Sequence, residues 1–461
     1  MSSESISKSV ISQLIGKFAL QGVAFLTTPI FTRILTPDDY GIIALYTSWS
    51  SILMVVLSLQ TYGSIATARL KFSSEEIPSY LSSTLSISVI VYAFFFCVII
   101  IFRSTFAILF KLDETLISIL LLHSFASYVI TFFVAYLDQH KKVIQSCLIS
   151  VSSAICSIVL ALIFVLHFEN KVYGKIFGQA IPLGIFALVI LFVIYVNGKC
   201  FWNHLYNKYC IFFTLPLVVH GLGHMVFTQA DRILLERFQN ESILGVYSVA
   251  YSLCSVLSVI FAAVNTAWTP FYYDYKKTNN DEAITEHSRR YIKLITMMFI
   301  GFILLSFDVF KLMAPEPYWS GLKVIPIFVA SFYFSYLYHF PVGFEYYYEK
   351  TKLIPVATII VAAINIVLDI VLIPRYAAFG AVFATMISQM LLFAFHFVLS
   401  RFVIKERFDY KLSFFLIPAT IVMIVVGLSY FLMDFQYVRW FLFLLVAVYV
   451  SYDVLKHRSI F

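Results

Sequence analysis

The residues with usable chemistry in this sequence lie inside long apolar runs. Lys17, Gln21 and Thr28 fall at i, i+4 and i+11 of the first run, and His220, His224 and Asp231 fall at the same spacing in a later one. At 3.6 residues per turn each set occupies one helix face. An ammonium, two imidazoles, an amide, a hydroxyl and a carboxylate bind polar groups. In a membrane such groups are costly, and they usually face a cavity. Both stripes are therefore candidate linings of a translocation path. The competing reading for the histidines is hydrogen bonding between helices. For Lys17 it is a side chain that snorkels to the membrane surface, about two turns away.

Asn365 and Asp369 lie one turn apart in another run, with Arg375 just after Pro374 at its outer end. Arg33, Asp231 and Arg232 sit near an outer interface, as gate residues or as a structural ion pair. Gln179, Thr385 and Gln389 could add hydrogen bonds of the kind sugars take. Pro29 and Pro216 interrupt the two runs that carry the stripes, and Gly221 and Gly223 loosen the second. Broken helices at matching positions often mark transport sites.

Covalent chemistry has no such footing. The sequence lacks a P-loop, an HExxH, a GxSxG and paired carboxylates on an outer loop. Gly221-Leu222-Gly223-His224 lacks the third glycine and the strand–helix setting of a dinucleotide site. The six cysteines form no CxxC or Cys/His cluster, and most sit in apolar runs as small hydrophobes. The expectation is no enzyme, no metal and no organic cofactor, with a coupling ion (H+ or Na+) left open.

The elements that must position these residues follow from composition. Of 461 residues 61% are hydrophobic and 12% charged, about half the charge of an ordinary soluble domain. Mean hydropathy is +0.90. That excludes a soluble enzyme, a nucleic-acid-binding domain and a disordered scaffold. The net charge of +7 reports loop topology rather than nucleic-acid binding.

A helix needs about 20 apolar residues to cross a bilayer, and the runs predict spans at about 9–33, 41–63, 80–102, 115–137, 143–167, 173–196, 210–235, 243–270, 290–312, 323–345, 353–373, 379–402, 410–432 and 438–455. The fold class is thus an all-α polytopic membrane protein with about 14 transmembrane helices. Twenty of the 32 Lys and Arg fall on the N-terminal side of these spans and eleven opposite, so both termini are expected in the cytoplasm. The longest connection, about 271–289, reads as a solvated loop with helical character.

An internal repeat runs through the spans. Gly22 precedes Arg33 by the same eleven residues that separate Gly221 from Arg232, and each arginine opens Arg-Ile-Leu. Gly41 matches Gly245, and Tyr173-Gly174-Lys175-Ile176-Phe177-Gly178 matches Phe379-Gly380-Ala381-Val382-Phe383-Ala384. The offsets of 199, 204 and 206 residues are nearly constant. The even number of spans per repeat makes the repeats parallel. The expected domains are a six-helix lobe at 1–205, a second at 206–405, and two added helices at 406–461.

The stretch Thr28-Pro29-Ile30-Phe31-Thr32-Arg33-Ile34-Leu35-Thr36-Pro37-Asp38-Asp39-Tyr40-Gly41 resembles the N-terminal signature of Wzx-type polysaccharide flippases. So does Asn365-Ile366-Val367-Leu368-Asp369-Ile370-Val371-Leu372-Ile373-Pro374-Arg375-Tyr376 with its continuation to Phe379-Gly380-Ala381. That family belongs to the multidrug/oligosaccharidyl-lipid/polysaccharide exporter (MOP) superfamily. The resemblance implies two MATE-like lobes around a central cavity and alternating access. The implied cargo is an oligosaccharide repeat unit, as in O-antigen, on undecaprenyl pyrophosphate, moved across the bacterial inner membrane beside other assembly proteins such as a polymerase and a chain-length regulator.

Relatives that flip the peptidoglycan precursor carry several arginines on the cavity face of the first helix. Here that face offers Lys17, Gln21 and Thr28, which argues against that cargo. In that relative two extra C-terminal helices help form a groove for the lipid tail, and the last two spans here could do likewise. The alternatives are a drug/cation antiporter of the same superfamily, which would favour buried carboxylates, and, further off, a membrane-embedded polysaccharide polymerase.

Overall fold

Apolar runs of bilayer length fold as helices because the backbone must satisfy its own hydrogen bonds where no water does. The computed structural model describes residue 22 and residues 25–457. Among the described residues, 13 helices are long and apolar enough to cross a membrane.

Of the first expected span, the described residues include its C-terminal part, α1, helical from 25 to 34. The 13 others are α2 (Pro37–Leu57), α3 (Ile77–Ile101), α4 (Glu114–Gln139), α5 (Val143–His167), α6 (Lys171–Gly198), α7 (His204–Phe238), α8 (Glu241–Lys277), α9 (Asp281–Met313), α10 (Ile325–Tyr347), α11 (Thr351–Tyr376), α12 (Ala378–Val403), α13 (Leu412–Phe431) and α14 (Gln436–His457). These correspond to the spans expected from the sequence.

Side-chain caps fix several helix starts, as Asn and Asp do best. Asp113 accepts from Leu116 N at 2.9 Å, Asn170 from Val172 N at 3.0 Å, and Asn240 from Ile243 N at 2.9 Å. Asn280 accepts from Ala283 N at 3.1 Å and so starts α9 only three residues after α8 ends. The expected connection at 271–289 has the helical character read from the sequence, with only 278–280 outside the two helices. Its charged residues extend α8 and α9, and Asn279, at φ 55°, makes the turn between them.

The described residues divide into two compact units, one of 22, 25–27 and 38–233, the other of 28–37 and 234–457. In the first, α3 presents a buried hydroxyl face. Ser83 Oγ donates to Asn207 Oδ1 of α7 at 2.9 Å, and Ser88 Oγ donates to the Ser58 carbonyl at 2.8 Å. Tyr80 donates to Ser64 Oγ at 2.7 Å, and Ser64 in turn to Cys210 Sγ at 3.3 Å. The α5–α6 pair closes through glycine. A Cβ on Gly174 would stand 2.8 Å from the Phe164 carbonyl carbon, and one on Gly178 would strike the backbone of Ala161.

In the second unit the same device recurs at the matching residue. A Cβ on Gly380, at the start of α12, would strike the backbone of Leu372 at the end of α11. The tail of α1 is bound here: Thr32 Oγ1 donates to the Met313 carbonyl at 2.6 Å and Tyr318 to the Leu35 carbonyl at 2.9 Å. Helices α13 and α14 pack on α9. Arg439 of α14 is almost fully buried and grips Asp308 of α9 with two bonds, 2.9 and 2.8 Å.

Candidate functional site

Lys17 and Gln21 lie outside the described residues. Thr28, third of their stripe, is buried in the second unit.

The α7 stripe lies in the first unit. His220 is half-buried and His224 exposed. His220 Nδ1 is shielded from solvent and makes no hydrogen bond among the described residues, so the imidazole keeps a donor or acceptor for a further group. Next to it, Gly221 makes room for Gln60, whose side chain occupies the place a Cβ would take. Gln60 has φ 47°, in the corner that follows α2. A one-turn break after α2 thus brings an amide against the glycine of α7, and the sequence spacing of α7 gave no sign of it. Asp231 is buried and accepts from the Arg232 N–H at 2.8 Å, while the Arg232 guanidinium donates to Gln229.

In the second unit α11 buries both Asn365 and Asp369 completely. The Asn365 amide makes no hydrogen bond among the described residues through either its oxygen or its nitrogen. An amide and a carboxylate one turn apart, shielded from water, can hold a cation, a proton or a polar solute. Arg33 is exposed, and its guanidinium donates to the carbonyls of Pro29 at 2.6 Å and Leu312 at 2.8 Å, tying the end of α1 to the end of α9. Arg375 is exposed in the last turn of α11. Thus Thr28, Asn365, Asp369, Arg33 and Arg375 belong to one unit and His220, His224, Asp231 and Arg232 to the other.

Sequence reasoning placed only Asp369 firmly inside a span among the carboxylates. The structure adds Glu345 near the end of α10, with 0% exposure, matched by His396 of α12 at 0%. His396 Nδ1 lies 2.8 and 3.0 Å from the two Glu345 oxygens, and Ser400 Oγ donates to Oε1 at 3.3 Å. His396 Nε2 makes no hydrogen bond among the described residues. The signal available was a glutamate at the edge of a predicted span and a histidine inside another. Their 51-residue separation hid the pairing. Among the described residues no three His, Cys, Asp or Glu side chains gather as a metal site.

Residues 6–276 match the family described as polysaccharide biosynthesis protein. An uncharacterized membrane protein of Haemophilus influenzae is 22% identical over 387 residues, covering 80% of this chain and 92% of its own. The Lsg locus putative protein 1 of the same organism is 22% identical over 361 residues, 75% of this chain and 86% of its own. Among solved structures, the lipid II flippase MurJ in its inward closed conformation aligns with TM-score 0.72 at 15% identity, covering 97% of this chain and 99% of that one. An inward-facing multidrug resistance MATE family transporter of the MOP superfamily aligns with TM-score 0.64 at 15% identity, covering 85% and 97%. The all-helical fold is that of these transporters.

Proposed function

Because this chain belongs to the polysaccharide biosynthesis protein family and is a multi-pass membrane transporter of MOP fold, we propose that it is a flippase for undecaprenyl-pyrophosphate-linked oligosaccharide, the repeat unit of O-antigen or a related surface polysaccharide. It works by alternating access of lobes at 1–205 and 206–405 in the bacterial inner membrane, with both termini in the cytoplasm. A pyrophosphate and its sugars cannot cross hydrocarbon unaided. Lys17 supplies the charge that attracts the pyrophosphate. Gln21, Thr28, His220, His224, Asn365 and Asp369 line the path. Arg33, Asp231, Arg232 and Arg375 serve its outer end.

The observation that carries the reading is the coverage of the fold matches. The lipid II flippase structure covers 97% of this chain, whereas the MATE transporter covers 85%. The difference is about the size of α13 and α14, the two helices outside the repeat. An apolar cavity of 400 Å3 between α9 and α14, lined by Gly301, Leu305, Phe443 and Val446, suits a lipid tail.

Buried Asp369 and Glu345 favour a second reading, a drug/cation antiporter of the same fold, because carboxylates bind cations. One experiment separates the two. Deleting the gene should remove surface polysaccharide and leave lipid-linked units in the inner leaflet. Intact surface polysaccharide together with heightened sensitivity to cationic drugs would favour the antiporter.

A further inference from the structure

A cleft of 680 Å3 opens between α9 and α13 in the second unit. Its polarity changes along the helices. Arg289 and Lys293 of α9, with Arg407 and Lys411 of the connection before α13, ring one end. Deeper in, the wall is Met297 of α9 and Ile417 and Ile421 of α13. At 1.5 Å per residue, Met297 lies about 12 Å along α9 from Arg289.

The charge at the mouth is poorly neutralised. Arg289 and Lys411 form no ion pair among the described residues. Arg407 meets Asp281 at 3.9 Å with both side chains mostly exposed, and Lys293 meets Asp453 at 3.6 Å. Asp409, the lining carboxylate, is already held by the Lys276 ammonium and by the Tyr272 hydroxyl at 2.7 Å. Glu282 and Glu286 line a neighbouring cleft that shares Thr285, Arg289 and Lys293 with this one, and neither lines this one. The basic excess in the connections puts this end at the cytoplasmic surface, where anionic lipids attract clustered Lys and Arg.

We propose that the cleft is a binding site for an anionic phospholipid of the cytoplasmic leaflet. The phosphate sits among Arg289, Lys293, Arg407 and Lys411, and one acyl chain lies along Met297, Ile417 and Ile421. The occupant is an amphiphile because charge and apolar wall are joined in one cavity. A free anion leaves the apolar wall unused, and an uncharged lipid leaves the cations unused. The site needs no particular saccharide cargo.

The test uses the full chain purified in detergent, with retained lipid counted by native mass spectrometry. Phosphatidylglycerol should be retained over phosphatidylcholine. Near an anionic surface each cation is worth about fivefold in affinity, so the Arg289→Gln/Lys411→Gln double variant should hold phosphatidylglycerol roughly 25-fold more weakly while phosphatidylcholine is unaffected. Both side chains are exposed, so the melting curve should not move. Ile417→Trp, which fills the apolar part, should weaken phosphatidylglycerol and leave glycerol phosphate unchanged. Equal retention of the two lipids, or of phosphatidylglycerol by wild type and double variant, would overturn the proposal. Displacement by millimolar inorganic phosphate would make the cleft a free-anion site, and displacement by a lipid-linked pyrophosphate saccharide would make it part of the substrate path. Either result overturns it as well.

Discussion

His396→Leu removes one half of a pair that the fold buries completely. Glu345 then keeps a single neutral donor, Ser400 Oγ at 3.3 Å, in place of two contacts of 2.8 and 3.0 Å to an imidazole nitrogen. With 0% exposure water does not replace them. Stranding one member of a buried charged pair costs about 3–5 kcal/mol. Glu345→Leu leaves the imidazole with both nitrogens unpaired, at about 1–3 kcal/mol. Replacing both partners by leucine removes the stranded groups along with the pair, and such replacements are often neutral. The double variant should therefore be more stable than His396→Leu by at least about 2 kcal/mol, a coupling well beyond the roughly 0.5 kcal/mol error of additivity. The assay is reversible unfolding of the purified protein in mixed detergent and SDS, followed by tryptophan fluorescence. The reasoning is refuted if His396→Leu unfolds with wild type, or if the double variant loses the sum of the two single losses.

Glycine packing gives a sharper contrast. Gly178→Leu and Gly380→Leu should abolish folded protein, since even a Cβ strikes the backbone of the preceding helix, whereas Gly184→Leu, with nothing within 4 Å, should accumulate normally; fluorescence-detected size exclusion reads both. Lys17→Ala should abolish polysaccharide export while the protein inserts at normal levels, and Lys17→Arg should retain part of it; wild-type export by a stably expressed Lys17→Ala protein would leave Lys17 a snorkelling residue. Reporter fusions after residue 36 and after residue 461 should report periplasm and cytoplasm respectively, and a periplasmic C-terminus would mean a miscounted span.

The spans were legible because the bilayer imposes a length and a composition that few other structures need. Their ends were less so. Hydropathy stops where charge begins, but a helix does not: Asp274, Lys276, Glu286 and Arg289 continue α8 and α9 past the apolar runs, because a solvated helix needs only caps such as Asn280. The glycines of α6 and α12 were visible as a repeat, and the structure supplies the reason, two close backbone approaches of the same kind. Serine and threonine are nearly neutral in hydropathy, so the hydroxyl face of α3 passed unread although it meets Asn207 and Ser58. Of the candidate path residues, Thr28, Asn365 and Asp369 are buried. Glu345 was missed because a carboxyl–imidazole contact between α10 and α12 is a property of packing, and no single helix shows it.

The central claim, that the chain moves a lipid-linked saccharide from leaflet to leaflet, is tested most directly in vesicles. The purified protein is reconstituted with undecaprenyl-pyrophosphate oligosaccharide carrying a fluorophore on the sugar, and a membrane-impermeant quencher is added outside. In protein-free vesicles the protected inner-leaflet fluorescence should stay constant. With the chain present it should become quenchable with time, and with Lys17→Ala it should stay protected. Fluorescence that remains protected in vesicles where the same protein drives efflux of a cationic dye would contradict the account.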